Sequence, residues 1–417
     1  MRNMTNKELF DLAYERLLGL YGGDCHTPDV RVFDRFFEEK MILQENPFSV
    51  RYFELIGRLR QVAVEKGEHL YLSGTGGASF VAYLLGESET NPLPRHTRCP
   101  ACGTTVFLGE GSPFDAAPDK CPCGADLITD GHGIPFASHV KSALAGRAQI
   151  HVSRAFLEEA KRFVYNEMWD YAILTLQDDE KAPVRFCFLD KEENEDAHYP
   201  LRDNEALFAH LPHLSINTDG MLDKLRELDR VTGYTVGEIG FPAVSRAFYS
   251  LVEEGLCELP KRAGAFMKEL FDTVKPKSYD EMLKVIGLGH SVNGWTENGE
   301  ILFEEHRMTL AALPVFREDV FCAIAEKLRL RGMQGTGLAY EVMDKARRGY
   351  YATKGCVEEN TVLSLLGLGF DMDFLFFLEK VGYLFPKAWA VACLRTVIRM
   401  TVYKTKFPQE YAEIMAE

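Results

Sequence analysis

LSGTGGASFVAYLLGESETNPLPRHTRCPACGTTVFLGEGSPFDAAPDKCPCGADLITDGHGIPF, residues Leu72 to Phe136, decides how this chain is read. Leu70, Tyr71 and Leu72 form a short apolar run suited to a strand. Ser73-Gly74-Thr75-Gly76-Gly77-Ala78-Ser79 follows, and Phe80 to Leu85 continues as a helix. Glycines permit positive φ and let the backbone approach a bulky anion. A helix N-terminus then offers unpaired N–H groups and a partial positive charge. Gly74, Thr75, Gly77 and Ser79 are therefore candidate phosphate-binding residues. The same turn also reads as a plain strand–turn–helix connection.

The second half of the stretch carries Cys99-Pro100-Ala101-Cys102-Gly103 and Cys121-Pro122-Cys123-Gly124. Two cysteine pairs in Pro/Gly knuckles have the form of a four-cysteine zinc ribbon. Zn2+ is thus expected on Cys99, Cys102, Cys121 and Cys123, in a structural role. The second pair is C-x-C rather than C-x-x-C, which tightens its bite. A disulfide reading needs an oxidising compartment, and the sequence carries no signal for one. Cys25, Cys187, Cys257, Cys322, Cys356 and Cys393 are scattered and read as buried thiols.

These residues carry a resemblance. The run resembles the palm of the bacterial DNA polymerase III alpha subunit of the PolC type, a C-family polymerase. The matching pieces are Ser73–Phe80, Asn91-Pro92-Leu93-Pro94-Arg95-His96, the cysteine knuckles, and Asp130-Gly131-His132-Gly133-Ile134-Pro135-Phe136. Gly382-Tyr383-Leu384-Phe385-Pro386-Lys387-Ala388 is similar to the family's fingers signature. Lys275–Tyr279, Ile286–His290 and Arg317-Glu318-Asp319 fall between them in the family's order. The resemblance implies an α+β protein: a nucleotidyltransferase-like palm remnant with a zinc ribbon, then a mainly helical fingers-like domain. The expected divisions are 1–97 (helices and palm start), 98–132 (ribbon), 133–259 (reduced palm) and 260–417 (fingers-like).

The family's chemistry needs carboxylates holding two Mg2+ ions. It supplies an Asp-x-Asp pair on one strand, whose alternation puts both acids on one face, and a third Asp on a neighbouring strand. The matching positions here are Gln149, His151 and a place near His213. None is a carboxylate, and Gln or His does not replace Asp around hard, oxygen-seeking Mg2+. The family's turn arginine is Ser73. His151 and His213 form a pair without a third metal ligand in view. Asp178, Asp179, Asp190 and Asp196 are candidates for re-sited acids, against a solvated acidic turn and loop. Asp371-Met372-Asp373 lies among the fingers elements and carries no catalytic weight.

Tyr171–Gln177 and Pro183–Leu189 read as a β-hairpin, and the family's thumb is expected to be missing or reduced to it. Thr5 to Glu8 forms a capping box, and Gly22-Gly23 stops that helix. Thr27-Pro28 starts the next, and Ser49 to Lys66 forms a third. Beyond Pro260, helices are expected before Lys275, from Glu281 to Ile286, from Arg317 to Leu330, from Leu338 to Arg348 and from Phe385 to Lys404. Arg317 and Lys387 match basic positions of the family and are candidate nucleotide-phosphate contacts. Lys345, Arg347, Arg348, Arg395 and Arg399 read as solvated helix faces, and Trp389 stands where the family has His.

Composition bounds the rest. The 417 residues include 46% hydrophobic and 26% charged, an ordinary globular balance for two or three domains. A net charge of −15 argues against strong non-specific nucleic-acid binding, though a local basic groove can sit on an acidic body. No apolar run is long enough to span a membrane, and no secretory signal is present, so a cytoplasmic protein without membrane contact is expected. No clamp-binding tail follows the fingers-like part. The expectation is a catalytically inactive pseudo-polymerase that binds DNA, a dNTP or a replication protein. The alternatives are an active nucleotidyltransferase with re-sited carboxylates and a purely structural interaction protein.

Overall fold

The computed structural model describes residues 4–22, 27–45, 47–109, 120–144, 146–177, 182–189, 212–235, 264–333 and 335–416. It divides into two compact units: residues 1–109, 116–241 and 402–417, and residues 110–115 with 242–401. The expected division at 259/260 falls outside the described residues, as do Asp178, Asp179, Asp190, Asp196, Cys25 and Cys257.

The first unit opens with α1 (Asn6–Tyr21), α2 (Val30–Gln44) and α3 (Pro47–Glu65). Thr5 and Glu8 complete the expected capping box. The second helix starts later than expected, because the Asp29 carboxylate caps it through the Arg31 N–H. β1 (Leu70–Ser73) leads into a single helical turn, α4 (Gly74–Gly77), and then α5 (Phe80–Leu84). β2 (His96–Arg98), β3 (Thr105–Phe107) and β4 (Ile128–Asp130) form a small antiparallel sheet in the order β3-β2-β4. After α6 (Val140–Leu144) come β5 (Arg147–Val152), α7 (Leu157–Glu167), β6 (Ala172–Leu176), β7 (Val184–Leu189), β8 (His213–Thr218) and α8 (Gly220–Thr232).

Five strands make one mixed sheet in the order β1-β5-β8-β7-β6. β5 and β8 run parallel, and the other neighbours are antiparallel. Alternation sorts the side chains by face. Leu72, Ile150, Ile216 and Val184 are register partners and belong to the core that the first helices cover. The opposite face carries Ser73, Gln149, Ser215 and Arg185, again in register. The β6–β7 hairpin forms as the sequence predicts, but it is not a separate thumb. β7 pairs with β8, so the hairpin completes the edge of the main sheet.

Two segments of the resemblance, Asn91–His96 and Asp130–Phe136, prove to be one backbone ladder. The N–H groups of His132, Gly133 and Ile134 donate to the carbonyls of Asn91, Leu93 and Pro92, at 2.9–3.0 Å. Asp130 accepts from Asn91 Nδ2 and from the Tyr83 hydroxyl, each at 2.8 Å. Gly131 sits at φ +101°, and a Cβ there would lie 2.3 Å from the Pro94 carbonyl oxygen. Only glycine fits that approach. The ladder roots the cysteine ribbon on the helices beneath it.

The second unit is helical: α9 (Gly264–Val274), α10 (Tyr279–His290), α11 (Glu300–Glu304), α12 (Arg317–Leu330), α13 (Gly337–Ala346), α14 (Tyr350–Lys354), α15 (Glu359–Gly367) and α16 (Met372–Lys380). α10 runs a full turn beyond the expected Ile286, and Gly287 within it faces Val315 and Phe316 at distances that admit no side chain. Asp371 caps α16 and Asp373 pairs with Arg307, so that Asp-x-Asp spacing is structural. α17 (Lys387–Lys406) starts in this unit, and residues from Val402 onward, with α18 (Pro408–Ala416), are counted with the first. α18 packs on α8, and Lys224 Nζ donates to the Ile414 carbonyl at 2.7 Å.

Candidate functional site

The four cysteines come together. Their sulfurs lie within 4.8 Å of one another, with Cys99–Cys123 at 3.4 Å and Cys102–Cys121 at 3.6 Å. Four thiolates around a metal at about 2.3 Å would place sulfurs roughly 3.8 Å apart, so the donor set suits a tetrahedral ion such as zinc. Both knuckles are preformed: Gly103 N donates to Cys99 O at 3.0 Å and Gly124 N to Cys121 O at 2.8 Å. Gly103 and Gly124 take positive φ there. Hydrogen bonds from Thr104 pull the Cys102 thiol down to about 6, whereas burial and the neighbouring thiols push Cys121 up to about 12. The shortened C-x-C pair therefore does not prevent convergence. Of the remaining described cysteines, Cys187 is buried as expected and Cys393 half-buried, whereas Cys322 on α12 and Cys356 after α14 are exposed.

The glycine turn is different from the expected cradle. The N-terminus of α5 is already filled from inside by the Glu39 carboxylate of α2. Glu39 accepts from Phe80 N at 2.8 Å, Val81 N at 3.1 Å and the Ser79 hydroxyl, and pairs with Arg35 Nε at 3.2 Å. Burial pushes its pKa up, against the pull of Arg35. Ser79 and Gly77 are buried, so neither presents itself outward, whereas Gly74 and Thr75 are half-buried. The sequence signal for Glu39 was an acid at helical spacing between Phe36 and Leu43, both core residues.

The positions matched to the metal-binding aspartates lie on the polar sheet face. His151 and Ser73 are fully buried, and His151 Nε2 is 2.8 Å from the Ser73 hydroxyl. That hydroxyl also donates to Gln149 Oε1 at 3.1 Å. Tyr71 stacks on His151 at 4.4 Å with a 9° interplanar angle and donates its hydroxyl to Asp219 at 2.6 Å. His213 pairs with Arg147 at the start of the strands, and Ser215 and Asn217 stand opposite Gln149 and His151. Asp219, a residue that the sequence patterns passed over, also caps α8 through Met221 N at 3.0 Å. Among the described residues, the four cysteines are the only group of three or more His, Cys, Asp or Glu close enough to share a metal.

Arg317 and Lys387 belong to the second unit, where the buried Glu318 joins them. Glu318 accepts from Arg317 Nε at 3.0 Å and from the Lys387 backbone N–H at 2.9 Å. Phe385 is stacked between His290 and Trp389, at 4.7 and 4.8 Å.

These features define an α+β protein with a mixed five-stranded sheet, a four-cysteine cluster that could hold a metal, and a helical second unit. No protein-family model matches the chain. The chain is PolC-like. It is 24% identical to the DNA polymerase III PolC-type of Staphylococcus saprophyticus over 98% of its length, and 24% identical to that of Staphylococcus haemolyticus over the same share. The Staphylococcus aureus MW2 protein of the same name is 23% identical. The chain spans about a third of the length of these curated relatives. No helix among the described residues is long and apolar enough to cross a membrane.

Proposed function

We propose that the chain is a non-catalytic relative of the PolC palm and fingers that works by binding a nucleic acid or nucleotide without active-site Mg2+. One observation carries this reading. Three departures from the family pattern are joined, since the Ser73 hydroxyl bonds both Gln149 Oε1 and His151 Nε2. Where the resemblance implies an arginine and two aspartates around metal, the residues present form a hydrogen-bonded layer without a carboxylate. The same sheet face bears Arg147 and Arg185, in register with His213 and Ser215. These two arginines, half-buried at its margin, can meet phosphates directly rather than through a cation. On this reading the nucleotidyltransferase-like sheet is a binding platform, the ribbon holds structural Zn2+, and Arg317 and Lys387 serve phosphates in the fingers-like unit.

Primer extension with Mg2+ or Mn2+, run beside DNA and dNTP binding on the same preparation, tests it. The expected result is binding without incorporation, with DNA affinity falling steeply as salt rises. Metal-dependent incorporation lost on substituting Asp178 and Asp179 would refute it and establish re-sited acids. Neither binding nor incorporation would refute it in favour of a protein-interaction role.

A further inference from the structure

The helical unit contains a pocket of its own. It is a half-open hollow of about 390 Å3 where the end of α9, the Lys275–Lys277 crossing and the turn after α11 meet. That volume falls within the range of small-ligand sites. One wall is apolar, made by Val274, Phe303, Met308 and Leu310. The rim is cationic or hydrogen-bonding: Lys275, Lys277, His306 and Thr309. The rim also carries one acid, Glu281, whose carboxylate accepts from the Lys277 backbone N–H at 2.6 Å at the start of α10.

Two rim residues stand out by their backbone. Lys275 has φ +49° and His306 has φ +58°, two of the four non-glycine residues at positive φ among those described. Each closes a helix: Lys275 N donates to Phe271 O at 2.8 Å, and His306 N to Phe303 O at 3.1 Å. Glycine is the residue that takes this closing position at least cost. Here, at both helix ends that border one pocket, the chain carries a basic side chain instead. Strained positions that cluster around a cavity point from geometry to function. Among the described residues, the side chains of Lys275, Lys277 and His306 have no ion-pair or hydrogen-bond partner, so they remain available to a ligand.

We infer that this pocket binds a small organic anion, a phosphate or carboxylate head carried on an apolar, ring-sized body. The head meets Lys275, Lys277 and His306, and the body lies against Phe303 and Leu310. The inference is independent of whether the sheet face binds nucleic acid.

The test uses the full chain and three probes: phenyl phosphate, inorganic phosphate and benzyl alcohol, titrated by NMR or calorimetry. Phenyl phosphate is expected to bind more tightly than either part alone, because head and body are held at once. Lys275→Gly is expected to weaken phenyl phosphate binding about tenfold, the worth of one charge-assisted contact, while leaving Tm equal or higher. His306→Gly is expected to behave in the same direction. Benzoate in place of phenyl phosphate distinguishes a carboxylate from a phosphate head. Equal affinity for inorganic and phenyl phosphate would overturn the apolar half of the inference. Binding unchanged in both glycine variants, or no binding at millimolar probe, would overturn it entirely. A Lys275→Gly chain that loses binding together with several degrees of Tm would assign Lys275 to the fold and overturn its role as a ligand contact.

Discussion

Restoring one aspartate should harm this protein rather than revive it. His151 is fully buried, stacked on Tyr71 and bonded to Ser73. His151→Asp places a carboxyl group in that closed layer with no cation in hydrogen-bond reach among the contacts just described. The group would stay protonated at pH 7, with a folded pKa raised from about 3.9 to beyond 7. Holding that proton at pH 7 costs about 4 kcal/mol, a large share of the roughly 5–15 kcal/mol that folds a domain. The sign follows from linkage. With the folded pKa raised, the native state keeps a proton that the unfolded state releases, so the penalty grows as pH rises and fades below the unfolded value. At pH 5 the same variant should lose only about 1.5 kcal/mol. Urea unfolding at pH 5 and pH 7, with and without 10 mM Mg2+ as an added ~10 mM arm, reads this directly. A loss below about 1 kcal/mol at pH 7, or one independent of pH, would refute the closed-layer reasoning. Recovery of the loss by Mg2+ would show instead that the position still belongs to a metal site.

Other outcomes can be checked with simpler tools. Metal analysis of the purified chain should find about one zinc per molecule, and Cys102→Ser or a chelator should lower Tm, since metal binding to four thiolates is coupled to folding; a zinc-free chain with full Tm would count against the ribbon. Gly131→Ala should destabilise by roughly 3 kcal/mol or more, because its Cβ meets the Pro94 carbonyl, and a shift in urea midpoint near zero would contradict the ladder geometry. Glu87 is buried, and burial raises its pKa well above the ordinary carboxylate value despite Arg60 and Arg16. Its contribution is complete below the ordinary carboxylate range and is lost as pH rises towards the raised value, at about 1.4 kcal/mol per unit. Glu87→Gln should flatten that slope; an unchanged pH profile would remove Glu87 as its source. Tyr71→Phe should cost about 1.5–3 kcal/mol by removing the 2.6 Å hydrogen bond to Asp219, measurable by urea unfolding.

Local features were legible in the sequence and distant ones were not. The capping box at Thr5, the hairpin of β6 and β7, the cysteine knuckles and the helix opening at Arg317 all depend on residues close in the chain. Their signals are spacing, caps and alternation, which a sequence displays directly. The pairing of Ser73 with Gln149 spans 76 residues and depends on β1 lying antiparallel to β5. No local pattern encodes that pairing, so the contact between the three altered positions emerges only in the fold. Glu39 shows the same limit. Its helix was legible, but the turn it fills lies 41 residues away, and without it the glycine turn looked open to phosphate. The hairpin was legible but its neighbour β8 was not, since alternation predicts strands and not their partners.

The chain leaves the first unit near residue 241 and returns to it at 402. Between departure and return a ribosome adds 160 residues, which takes about 8–32 s at common synthesis rates. During that interval α8 has emerged with Leu222, Leu225 and Leu228, but its partner α18 has not. His69 and Asp229, already made, likewise wait for Tyr403, whose hydroxyl bonds Asp229. The first unit therefore has a built-in period in which α8 stands without its α18 partner. Its production in cells should depend more on chaperones and temperature than its final stability suggests. A cut after residue 241 would make that interval permanent.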